Sequence, residues 1–82
     1  MNEYVATFHT HLAAIMAHRA LGALGVSARM MPVPRSVSSS CGTCVRYSAD
    51  GAHTEAMGED CESIFLVHAG KREEYELIHS QE

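Results

Sequence analysis

Eighty-two residues with a formal net charge of −4 make one small domain, residues 1–82, which buries only about 60–65 % of the surface its unfolded chain exposes. The acidic balance argues against nucleic acid, because no Lys/Arg stripe exists to neutralise phosphates, and no apolar run is long enough to span a bilayer. The opening Met1-Asn2-Glu3-Tyr4 lacks the basic start and apolar stretch of a signal peptide, so a reducing cytoplasm is the expected compartment. In that compartment Cys41, Cys44 and Cys61 point to redox, metal or group-transfer chemistry rather than to a disulfide framework.

Residues 4–7 mix β-branched and aromatic side chains in a short strand-like run that Phe8 can extend. Thr10 is placed to cap a helix over residues 11–24, where Leu12, Ile15, Met16, Ala20 and Ala23 recur at helical spacing. Gly25 stands where a left-handed cap ends such a helix. Val26, Ala28 and Met30 alternate along a second strand that Pro32 stops. Residues 45–49 read as a third strand closed by the turn pair Asp50-Gly51. Thr54 is placed to cap a second helix with Met57, Cys61, Ile64, Phe65 and His68 on one face. Two features compete with that helix: Gly58 in its interior costs about 1 kcal/mol relative to alanine, and Ile64-Phe65-Leu66-Val67 can form a buried strand. After Gly70, residues 74–79 alternate as a final edge strand. The order β-α-β-β-α-β predicts an α+β, ferredoxin-like two-layer sandwich, an antiparallel sheet with both helices on one face.

The chemistry is expected between the second and third strands. Pro32 and Pro34 remove backbone donors and force an extended edge, and Ser38, Ser39 and Ser40 favour turns through their hydroxyls. Cys41 follows, then Gly42, which accepts backbone conformations closed to other residues. A cysteine so placed is presented on a loop. A free thiol of pKa ~8.5 is only about 3 % thiolate at neutral pH, so a useful nucleophile needs local help. Arg35 and Arg46 flank the loop and can supply positive potential, while Ser40 and the backbone N–H groups after Gly42 can aim donors at the sulfur.

This stretch also resembles a family of small bacterial domains described as sulfur/selenium carrier-like proteins. The resemblance rests on a first strand ending at Phe8, an Ala-rich helix ending at Gly25, then Pro32-Val33-Pro34-Arg35, Ser38-Ser39-Ser40 and Cys41-Gly42. It covers the first half of the chain closely and the rest by element order. It implies a carrier rather than a free-standing enzyme: Cys41 would hold a sulfur or selenium atom in transit between a donor and an acceptor protein. Cys44 and the richness in histidine depart from the family pattern.

Cys44 has three readings. It can resolve a persulfide on Cys41, join Cys41 in a thiolate metal site, or simply begin the third strand. A zinc site built on Cys41 and Cys44 would need two further ligands, from His53 and Cys61 or from His9 and His11, whereas Cu(I) can be held by the two thiolates alone. The carrier reading itself requires no cofactor. A non-catalytic docking module, using edge strands and Arg35, is a further alternative. Hydrolase chemistry finds no support, because no Gly-x-Ser-x-Gly elbow is present and Glu59-Asp60 reads as a solvated face.

Overall fold

The structure, a computed structural model, describes residues 1–37, 39–70 and 72–80. Ser38, part of the serine run, lies outside them. The chain forms β1 (Asn2–Phe8), α1 (His11–Ala23), β2 (Ser27–Pro32), β3 (Thr43–Ala49), a 3-10 turn (Thr54–Ala56), β4 (Cys61–His68) and β5 (Glu74–Ser80). All strand pairs are antiparallel and lie in the order β2-β3-β1-β4-β5. β1 is central, and its residues from Tyr4 to Phe8 are buried on both faces of the sheet. No helix among the described residues is long and apolar enough to cross a membrane.

The first half follows its local signals. The Thr10 hydroxyl accepts the Ala13 N–H at 3.1 Å and caps α1, and Gly25 takes φ 79° just beyond the helix end. The helix packs on the sheet through Ala14, Ala17 and Leu21, and the two alanines let it approach Tyr4, Phe8, Val45 and Tyr47 in one core. Leu12 and Met16, assigned to the apolar face by their spacing, are 64 % and 61 % exposed. They line an open groove of about 380 Å³ between α1 and the 3-10 turn.

The expected two-helix, ferredoxin-like sandwich does not form. α1 is the one α-helix among the described residues, and a fifth strand completes the sheet. The predicted second helix fails at Gly58, whose φ of 78° lies outside the helical region. Residues 50–60 instead cross the α1 side of the sheet irregularly, burying Met57 in the core. Residues 61–68 then form β4, as the run of Ile64, Phe65 and Val67 favours. The helix-like spacing of Cys61 and Ile64 has a specific cause. Thr7 pairs with Ser63 and Phe8 with Cys61, so Glu62 is an extra residue in a β-bulge. The bulge puts Cys61 and Ile64, three apart, on the same buried side.

On the sheet face away from α1, Arg46 reaches Glu3 at 2.6 Å and Glu73 at 2.8 Å. Its hydrogen bonds hold both carboxyls below the usual carboxylate range. Groups whose folded pKa is depressed contribute stability that is complete above the unfolded value and is lost as pH falls through the folded value. Urea stability should therefore decline between about pH 5 and pH 3, and Arg46→Met should flatten that acid limb. Identical slopes in the two proteins would show that the clamp contributes nothing.

Candidate functional site

Residues 33–42 join β2 to its sheet neighbour β3, so the loop leaves and re-enters at one end of the sheet. The Val33 N–H donates to the Gly42 carbonyl at 3.1 Å and closes the base of the loop. The Val37 N–H donates to the Pro34 carbonyl at 3.0 Å, which makes a turn with Arg35 and Ser36 at its tip. Val37 is buried and anchors the far side. Gly42 re-aims the chain into β3 with φ 75°, a left-handed conformation. A Cβ there would meet no atom within 4 Å, so Gly42→Ala should cost backbone strain alone, about 1–2 kcal/mol. An unchanged urea midpoint would contradict this.

Cys41 lies half-buried against the edge of the core. Its thiol donates to the Thr43 carbonyl at 3.5 Å, and the Ser39 hydroxyl is 4.0 Å from its sulfur. Glu62, projecting from the bulge in β4, receives the loop on its other side. Its Oε1 accepts the Ser40 N–H at 2.8 Å, and its Oε2 accepts the Ser40 hydroxyl at 2.8 Å. Ser39 Oγ lies 3.4 Å from Glu62 Oε1 and 3.3 Å from the Phe8 carbonyl. His9 Nδ1 is 3.6 Å from Glu62 Oε2, and His11 Nδ1 is 3.3 Å from the Thr43 hydroxyl. Burial pulls the Glu62 carboxyl upward, but the Ser40 N–H and hydroxyl, the charge of His9 and the Ser39 hydroxyl outweigh it. The carboxyl is left below its ordinary value.

The residues singled out in the sequence are thus only partly gathered. Cys41, Ser40 and Gly42 share the loop. Arg35 is at the exposed tip, with no hydrogen bond or ion pair among the described residues. Cys44 alternates with Val45 along β3 and so faces away from α1, whereas Cys41 packs on the α1 side. Its thiol is fully buried near the Pro32 carbonyl, and burial pushes its pKa up to about 11. Arg46, two residues on, shares the Cys44 face, where Glu3 and Glu73 occupy it. Cys61 is buried in the core, and burial pushes its thiol up to about 11 as well. His53 lies past the opposite end of β3, beside Glu55. Among the described residues, no three His, Cys, Asp or Glu side chains form a group able to hold a metal. Glu62 is the site residue that sequence reasoning missed. Its only signal was the strand-like run just after it, which places it near β1.

No curated protein and no solved structure matches the chain. A family model described as "Putative Se/S carrier protein-like" matches residues 3–60, a span that runs from β1 through the cysteine loop and the crossover but stops short of β4. That span is more than half of the chain, and the protein belongs to the Se/S carrier protein-like family.

Proposed function

We propose that the protein carries sulfane sulfur or selenium on Cys41, as a persulfide or its selenium counterpart, between a donor and an acceptor protein in a reducing cytoplasm. One observation carries the reading: of the three thiols, Cys41 alone sits on a surface loop, while Cys44 and Cys61 are enclosed and hard to ionise. Family membership supports the cargo class. In the loading step the Cys41 thiolate attacks the outer sulfur of a donor persulfide. A new S–S bond forms on Cys41, the donor S–S bond breaks, and the donor leaves as a thiolate, so no external oxidant is consumed. Delivery to an acceptor thiolate is the same exchange in reverse. A shallow loop suits this role, because two protein thiols must meet, and the exposed Arg35 can draw an anionic sulfur to the tip.

Intact mass spectrometry of reduced protein mixed with a low-molecular-weight persulfide tests the reading. The expected product has gained one sulfur atom and loses it to a thiol reductant. A loss of two hydrogens without that gain, or a metal adduct alone under native conditions, would contradict it.

A further inference from the structure

Glu62 makes contacts that sulfur carrying does not by itself require. In a regular strand, successive side chains alternate between faces, but the extra residue of a bulge escapes that alternation and is re-aimed. Here it brings one carboxylate onto two consecutive loop residues, Ser39 and Ser40, immediately before Cys41. An ionised carboxylate only accepts hydrogen bonds, and the three groups that Ser39 and Ser40 turn toward it can all donate. The serine side of the loop has few other ties: among the described contacts, only Ser39 to the Phe8 carbonyl connects it to the sheet.

The same placement bears on the sulfur. The Cys41 thiol donates its proton to the Thr43 carbonyl, a bond that only the protonated form can make. A thiolate would need a donor turned toward it, and the Ser39 hydroxyl lies 4.0 Å from the sulfur. That hydroxyl has one proton, and Glu62 and the Phe8 carbonyl already compete for it. His9 and His11 are the titratable side chains at this rim.

We propose that Glu62 is the positioning residue of the cysteine loop: it pins the Ser39–Ser40 turn and, with it, the Ser39 hydroxyl that neighbours the Cys41 sulfur. The proposal takes from the carrier reading only that Cys41 is the reactive thiol. Its occupancy of a partly exposed surface position means that replacing it opens no cavity in the core.

The test compares Glu62→Gln and Glu62→Asp with the unaltered protein. Two readouts are used: the rate of Cys41 alkylation by iodoacetamide at neutral pH, resolved at peptide level, and hydrogen exchange of the Ser40 amide. Gln removes the charge and presents one acceptor oxygen where two were used. It should speed Ser40 exchange about tenfold and Cys41 alkylation at neutral pH about threefold, because the loop is released and the Ser39 proton can turn to the sulfur. Asp keeps the charge but is one methylene short, so both rates should rise there too. Cys41 alkylation or Ser40 exchange at the parent rate in Glu62→Gln overturns the proposal. No sulfur donor enters the assay, so its failure is separable from failure of the carrier reading.

Discussion

Cys41→Ser is expected to abolish sulfur uptake, whereas Cys44→Ser and Cys61→Ser should each load to the same stoichiometry as the parent. The asymmetry follows from where the thiols sit. With a pKa of about 11, Cys44 and Cys61 are ionised to about one part in ten thousand at neutral pH, and both lie under the surface. The lifetime of the load decides the role of Cys44. A resolving thiol would attack the persulfide from within, so its removal would lengthen the lifetime many-fold. Cys44 instead faces the other side of the sheet, beside the Pro32 carbonyl. The Cys44→Ser load should therefore decay within about twofold of the parent rate. A much longer lifetime would restore Cys44 as a resolving residue.

Leucine-to-alanine changes in α1 should differ sharply between its two faces. Leu21 is fully buried against the sheet, and Leu21→Ala should cost about 2–5 kcal/mol through lost burial and the cavity left behind. For a domain of this size, total stability is on the order of 4–12 kcal/mol, so that single change can remove a large share of it. Leu12 is mostly exposed beside the open groove, and Leu12→Ala should move stability by no more than about 0.5 kcal/mol. Urea melts of the two variants check this. Comparable losses would mean that α1 is rotated about its axis from the orientation described.

The same contrast marks where the sequence was readable and where it was not. Thr10 and Gly25 carry their signals locally, in a cap hydroxyl and a left-handed φ, and the first three strands lie near where alternation and turn residues place them. The stripe that spacing marks on α1, through Leu12 and Met16, is not the buried one, which runs through Ala14, Ala17 and Leu21. The aromatic rings of the sheet supply the volume, and alanines supply the close approach. The final edge strand over residues 74–79 forms, but the second helix does not, because a bulge adds one residue. Cys61 and Ile64 then repeat at three, which looks helical, although Gly58 had already argued against a helix. At the site, Cys41 and Gly42 were legible from turn chemistry. Arg46 was not, since proximity in sequence to Cys41 says little across the start of a strand: alternation puts Arg46 with Cys44 on the opposite face. Glu62 was hidden because it reaches the loop only through strand pairing distant in sequence.

The claim that Cys41 holds an atom in transit is tested most directly by a chase. Protein loaded from a persulfide and freed of the donor is mixed with a thiol acceptor, and both masses are followed with time. The account predicts that the acceptor gains one sulfur atom as the protein returns to its fully reduced mass, with all three cysteines as thiols. Protein that keeps the atom, or that ends with a Cys41–Cys44 disulfide while the acceptor stays unchanged, would contradict it.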